Sequence, residues 1–417
     1  MYYKRAIEQA IQEAGKSLPC VALYGPRQVG KSTTLRHLFS TMRYVTLDDA
    51  SQLALAQDNP RLFLESHGWP LIIDEIHKAP ALLPEIKIAI DRQRLAWLEE
   101  GGTRTLMFII SGSNQFNLRE QVSESLAGRV AEIHMLPFTQ HEARKTIGEP
   151  FTAEIALLQA KESERAFFPL SRSDVFQNIF RGGMPDVVTE VAQRDIYFKS
   201  YLSTYIEKDV RSLISASHES TFIRFMEYVA LRTGQQLNYD EISSSVGINN
   251  ATCRRWMSIL ESSGIIVLLQ PYMPNASTRI IKSPKLYFTD TGLCSYLCGW
   301  PNAGMLEKGV MAGAFFETYV VIEIWKSFLN ANIDPKHFLY YYRDKDNKEV
   351  DVLFVQQGAI CPIEIKKGVN PIKPNKNFKV LSKYKMPLRT GMVIDCTDTI
   401  RAINEGVYAI PVGAVGA

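Results

Sequence analysis

The stretch Gly25-Pro-Arg-Gln-Val-Gly30-Lys31-Ser32 constrains this chain more than any other. It lies between an apolar run, Val21-Ala-Leu-Tyr24, and a helical pattern, Thr33-Thr-Leu-Arg-His-Leu-Phe39. Glycines at both ends let the backbone turn with its N–H groups pointing inward. The helix that follows adds the positive end of its dipole. Strand, glycine-bounded loop, Lys-Ser and helix together predict a phosphate-binding loop over Gly25, Pro26, Arg27, Gln28, Val29, Gly30, Lys31, Ser32 and Thr33. In such a loop Lys31 reaches the β- and γ-phosphates of a nucleotide and Ser32 holds Mg²⁺. Arg27 is a second cation beside the phosphates, or a side chain facing solvent.

Leu71-Ile-Ile-Asp74-Glu75-Ile76 supplies the acids that a phosphate-binding loop requires. Its apolar residues read as a strand buried on both faces, with the acids at the carboxyl end. Asp74 would hold Mg²⁺ through water, and Glu75 would polarise an attacking water. An Asp-Glu pair here suits ATP hydrolysis better than nucleotide binding alone. A further strand, Thr105–Ile110, ends in Ser111-Gly-Ser-Asn114, where Ser113 and Asn114 are alternative sensors of a γ-phosphate. Arg43–Leu47 is another strand, leading into Asp48-Asp49, which read as structural. Arg129, just before the strand Val130–Leu136, reads either as an arginine finger or as half of a surface ion pair.

These signals alternate strand and helix through residues 1–137, as in a parallel α/β sheet. From Pro137-Phe-Thr-Gln-His-Glu-Ala143 the pattern turns helical, and 138–215 reads as a helical lid over the nucleotide. The aromatic stripe from Ile196 to Ile206 is read as core. Residues 216–300 differ in character. Asn238 and Glu241 fit a reciprocal capping pair, with Leu237 and Ile242 as its apolar staple. A second helix opens at Asn249 and ends near Gly264, and two strand-like runs follow, Ile265–Gln270 and Lys285–Phe288. Helix, turn, helix and a β wing describe a winged helix. If it binds DNA, Asn250, Arg254 and Arg255 face the groove, with Arg279 and Lys282 near phosphates. The alternative is a protein-contact or spacer module.

In 301–417, Glu349–Val355 and Ile360–Lys366 both alternate polar and apolar residues. A two-residue turn at Gln357-Gly358 pairs them as a hairpin with Asp351 opposite Glu364 and Lys366 opposite Glu349. Val350, Val352, Ile363 and Ile365 then share the other face, toward a core. Opposed carboxylates on a sheet repel one another, and a divalent cation resolves the conflict. Asp351 and Glu364 are therefore candidate metal ligands. Lys366 would stabilise phosphate charge, and Glu317, on an upstream helix, is a third acid. The alternative is an exposed hairpin with a Glu349–Lys366 ion pair.

The chain has 417 residues, enough for about two to four domains, and a net charge of +3 that neither demands nor excludes nucleic acid. Its six cysteines fit no zinc spacing, Cys294 and Cys298 read as core, and a reducing compartment, the cytoplasm, fits. Met1–Ile7 reads as an amphipathic helix rather than a signal peptide. No apolar run is long enough to cross a membrane.

Several segments together resemble a bacterial and archaeal family that joins an AAA-type ATPase to a C-terminal domain of unknown function. They are Gly25–Ser32, Leu71–Lys78, Ser111–Asn114, Ser125–Arg129, Arg181–Pro185, Pro284–Gly292 and the Glu-Val-Asp and Glu-Ile-Lys strands. The resemblance spans nearly the whole chain. It implies a P-loop core of the additional-strand class, whose catalytic glutamate matches Glu75. It also implies a C-terminal α/β domain similar to the PD-(D/E)xK nuclease fold. Asp351, Glu364 and Lys366 map onto that site, Glu317 is its helix acid, and Val350 stands where the motif has proline. The expectation is a cytoplasmic Mg²⁺-ATPase working on a DNA-related module. A regulatory switch without nuclease activity, or a remodelling homo-oligomer with Arg129 acting in trans, are the rival expectations.

Overall fold

The apolar runs of the first third assemble as a parallel sheet. Its strands are β1 (Cys20–Tyr24), β2 (Arg43–Thr46), β3 (Leu71–Asp74), β4 (Phe108–Gly112) and β5 (Val130–His134), in the order β2-β3-β4-β1-β5. The computed structural model describes residues 2–101, 105–112, 115–211, 213–214, 216–273, 283–369, 371 and 374–417. Strands β1, β3 and β4 are buried along their whole length, as unbroken apolar runs require. Alternate residues feed opposite faces. Val21 and Leu23 enter one cluster, and Cys20, Ala22 and Tyr24 enter the other.

The first of these clusters does not stop at the sheet. It continues through Val175, Tyr201, Trp256, Phe315, Val352 and Ile394 to Val415. The middle of the chain packs into it as helices, including Arg194–Tyr205, which ends in one π-helical turn, Ile206–Val210. Then come the helices Glu219–Ala230, Tyr239–Val246 and Asn250–Ser262, and an antiparallel sheet of β6 (Gln235–Gln236), β7 (Ile266–Leu269) and β8 (Lys285–Phe288), ordered β6-β8-β7. Asn238 caps its helix through the Glu241 N–H, as expected. Glu241 does not return the bond, because its carboxylate is taken by Arg232 and by Tyr228. Arg279 and Lys282 lie outside the described residues.

The last part is a six-stranded mixed sheet flanked by the helix Ala312–Asn330. Its strands are β9 (Leu339–Arg343), β10 (Glu349–Gln356), β11 (Ala359–Ile365), β12 (Gly391–Asp395), β13 (Arg401–Asn404) and β14 (Val407–Pro411), ordered β13-β14-β12-β11-β10-β9. Gln357 and Gly358 both take positive φ, 52° and 70°, which sets a two-residue turn and the register Gln356↔Ala359, Val352↔Ile363. A bulge between Val350 and Leu353 breaks strict alternation. Val350 therefore joins Leu353 in a separate cluster, away from Val352, Ile363 and Ile365, contrary to the simple pattern.

Two local expectations are corrected. Residues 2–5 are not helical, and the first helix is Glu8–Ser17. Arg5 is pulled out of it by three partners: Nε donates to Glu142 Oε1 at 3.0 Å, and the two Nη groups donate to the carbonyls of Val29 and Leu136 at 2.8 Å. The Pro137–Ala143 stretch is not helical either, apart from a 3₁₀ turn at Glu142–Arg144. It is a buried strap. Glu142 takes the N–H groups of Ala6 and Thr139, and the Gln140 side chain donates to the carbonyls of Val412 and Val415. Glu323, on the helix Ala312–Asn330, accepts from Gln140 N at 2.7 Å. No helix among the described residues is long and apolar enough to cross a membrane.

Arg5 and Glu142 are 2% and 0% exposed, so removing one strands the other as a buried charge. Arg5→Ala should therefore cost about 3–5 kcal/mol in urea unfolding. A loss within about 1 kcal/mol, the range of a surface pair, would show that the brace is not structural.

Candidate functional site

Strand β1 delivers the chain to the loop at the carboxyl edge of the sheet, where β4 stands between it and β3 with its acids. The loop needs its glycines for different reasons. Gly30 has φ of 95°, and a Cβ on Gly25 would lie 2.2 Å from the Met135 carbonyl oxygen. Gln28 also takes positive φ. Lys31 folds back into the loop and donates to the carbonyls of Gly25 and Pro26, both at 2.9 Å. Burial lowers its pKa, against the raising pull of Glu75 and Asp74.

Asp74 gathers three hydroxyls. Ser32 Oγ and Tyr44 OH donate to Oδ2 at 2.6 and 2.5 Å, and Ser111 Oγ donates to Oδ1. Hydroxyl and carboxylate oxygens are the donors that a hard divalent cation prefers, so Ser32 and Asp74 fit Mg²⁺. Glu75 has positive φ, 57°, and its carboxylate lies 3.1 Å from His77 Nδ1. Burial alone would raise its pKa, yet His77, Lys31 and Arg27 together hold it at about 2. It is a carboxylate at neutral pH.

Arg27 does not face solvent. Its Nε and Nη2 grip both oxygens of Asp209 at 2.6 and 2.7 Å. Burial pushes the Asp209 carboxyl up against that pairing. Asp209 sits on the π-helical turn, which links the helix Arg194–Tyr205 to the following helices. Within 138–215, this turn is what the ion pair brings to the loop. Of the other candidates, Ser113 and Asn114 lie outside the described residues. Arg129 stands at the opposite end of the sheet. Its carbonyl accepts from Cys20 N at the start of β1, so roughly 13 Å of strand separates it from the loop. Its guanidinium is bidentate to Asp91 at 2.7 and 2.9 Å. The contact with Asp91 fits the ion-pair alternative within one chain.

A second polar centre lies on β10 and β11. Asp351 Oδ2 accepts from Ile365 N at 2.8 Å, and Glu364 Oε1 accepts from Lys366 Nζ at 2.6 Å. Lys366 Nζ is also 3.8 Å from Asp351, so it pairs with these acids and not with Glu349. Glu364 is 8% exposed, and its Oε2 has no hydrogen-bond partner. Burial, and then the charge of Asp351, push its carboxyl up to about 8. Glu317 is held by β8 instead. It accepts from Lys285 Nζ at 2.8 Å and from Tyr287 OH at 2.7 Å, both on β8. Among the described residues, no three His, Cys, Asp or Glu side chains form a ready-made metal cluster.

The helix proposed to read DNA is partly occupied. Asn250 donates to Asp240, Arg254 stacks 4.1 Å from the centre of the Tyr239 ring, and Arg255 binds the Leu213 carbonyl. Asp209, His77, Tyr44, Lys285 and Tyr287 were absent from the sequence-derived site. Tyr44, His77, Lys285 and Tyr287 lay in segments singled out from the sequence, and Ser111 in the strand-end segment from which Ser113 and Asn114 were chosen.

Residues 17–144 match the AAA domain family. Residues 172–304 and 312–415 match two domains of unknown function, DUF8612 and DUF4143. Uncharacterized proteins of Mycobacterium bovis and Mycobacterium tuberculosis are each 27% identical over 375 residues, 88% of this chain and 75% of theirs. Among solved structures, a Walker-type ATPase of Pyrococcus abyssi aligns at TM-score 0.42 and 14% identity, over 71% of this chain and 96% of that one. AMPPCP-bound DnaA from Aquifex aeolicus aligns at TM-score 0.25 and 12% identity, over 61% and 85%.

Because the native Glu364 carboxyl titrates near 8 and a free one near 4.5, its contribution to stability is full below the lower value. That contribution is lost as pH rises through the upper one. In chelator, Glu364→Gln should raise the melting temperature by about 2 °C or more at about pH 9 and change it little at about pH 5. Melting curves that shift equally at both pH values would contradict this.

Proposed function

We propose that this chain is a Mg²⁺-dependent ATPase whose nucleotide state is coupled to a winged helix and a nuclease-like C-terminal module that engages DNA. One observation carries the nucleotide part. Lys31, Ser32, Asp74 and Glu75 converge at the carboxyl edge of a parallel sheet, with their charges already arranged. Lys31 and the loop N–H groups would take the β- and γ-phosphates. Ser32 and Asp74 would hold Mg²⁺, which when bound neutralises phosphate charge. Glu75, ionised and steadied by His77, would orient the attacking water and accept its proton as the γ-phosphoryl group leaves ADP. Arg27 would exchange Asp209 for phosphate, passing the change to the π-helical turn.

The C-terminal part rests on chemistry of the same kind. Asp351 and Glu364 offer carboxylate oxygens, one of them without a partner, and Lys366 would face a phosphodiester. The three-helix unit with β6, β7 and β8 supports the winged-helix reading. A second reading, a regulatory switch that cleaves nothing, is favoured by the internal partners of Asn250, Arg254 and Arg255.

Lys31→Ala should abolish ATP uptake in calorimetry. Glu75→Gln should keep binding but slow turnover by about 10²-fold or more, the usual worth of a general base. Wild-type turnover in either variant would refute the assignment. With linear and circular DNA and Mg²⁺ or Mn²⁺, Asp351→Ala should keep ATP turnover and lose any metal-dependent cleavage. No cleavage by the unaltered protein would favour the switch.

A further inference from the structure

Lys285 is the least expected group in the molecule. It lies in β8, on a different sheet from Asp351 and Glu364, and is 2% exposed. Its ammonium meets Glu317 at 2.8 Å and Glu349 at 2.5 Å, and the Tyr341 ring centre is 5.7 Å away. The carboxylates acting on it are Glu317 on the helix Ala312–Asn330 and Asp351 and Glu349 on β10, and Tyr287 on its own strand shares Glu317 with it. A lysine this deep is stable only because carboxylates surround it. Glu317 is in turn engaged through Oε1, to which Lys285 and Tyr287 both donate.

The neighbouring acids are treated differently. Glu364, more than nine-tenths buried, keeps one oxygen without a hydrogen-bond partner, and the cation paired with it is the more exposed Lys366. A lysine more than a third exposed is displaced by a metal ion at lower cost than a buried one clamped by two carboxylates in a sheet. Mg²⁺ and Mn²⁺ bind readily through one or two carboxylates with water completing the shell, so a third acid is not required.

We propose that Lys285 is an internal counter-cation of the C-terminal centre. It holds Glu317 out of the coordination shell, so that one divalent cation binds through Asp351 and Glu364 alone. This rests on the metal-binding reading of those two residues. Lys285 is a positioning residue, and it makes β8 part of the centre.

The test is Mn²⁺ uptake by the full chain without nucleotide, followed by electron paramagnetic resonance. Asp74→Asn is present in every arm to silence the P-loop site. Asp351→Asn and Glu364→Gln should each weaken uptake by about tenfold or more, the scale of a lost ligand interaction. Glu317→Gln should leave it within about threefold, below that scale. Lys285→Met should strengthen it by about tenfold, because removing a positive charge beside three carboxylates favours a cation. Glu317→Gln, a near-isosteric change, keeps the test decisive if Lys285→Met does not fold. A loss in Glu317→Gln equal to that in Asp351→Asn would overturn the counter-cation role while sparing the metal site. No Mn²⁺ uptake either with Lys285 intact or after Lys285→Met would overturn both readings together.

Discussion

A single buried guanidinium holds the loop and the rest of the molecule in one frame. Arg5 reaches a carbonyl of the phosphate-binding loop, the Leu136 carbonyl just before the strap, and the carboxylate of Glu142. Glu142 then takes one N–H beside Arg5, from Ala6, and one at the start of the strap, from Thr139. Every one of these groups is costly to bury alone, and each is satisfied by the others. The loop is therefore presented by a polar network as well as by the sheet beneath it. Through Gln140 and Glu323 the same strap reaches the C-terminal sheet and the helix beside it.

The two acidic centres solve the same electrostatic problem in different ways. At the loop, cations are held close to Glu75 and keep it ionised despite burial. On β10 and β11, burial wins, and Glu364 resists ionisation. The difference follows from placement. Arg27 and Lys31 lie on the tight loop itself, anchored by Asp209 and by carbonyls, whereas Lys366 is a strand-end side chain more than a third exposed. The first centre is preset for a polyanion, and the second is short of positive charge.

What could be read from the chain beforehand was local. Strand β3 with its acids, the Gln357-Gly358 turn and the pairing it sets, and the cap at Asn238 each depend on neighbours within a few residues. Misreadings arose where distant partners decide. Arg5 looked helical because its neighbours are, but its partners lie 24 to 137 residues away. Asp209 carried no signal, since nothing around it in sequence points to Arg27, 182 residues earlier. Lys285 resembled a strand-end lysine until Glu317 and Glu349 surrounded it. The bulge that reverses Val350 depends on β9, outside its own hairpin. Glu241 was assigned to its backbone and taken instead by Arg232.

The continuous apolar cluster has an evolutionary corollary. Three stretches of this polypeptide match separate families, yet Val21, Trp256 and Ile394 share one interior. Excising 17–144 would separate Glu142 from Arg5 and Gln140 from Val412. Shuffling one segment into another gene would expose an oily seam and orphan buried charges at the cut. Such modules must travel together, and substitutions along their shared seam must compensate one another.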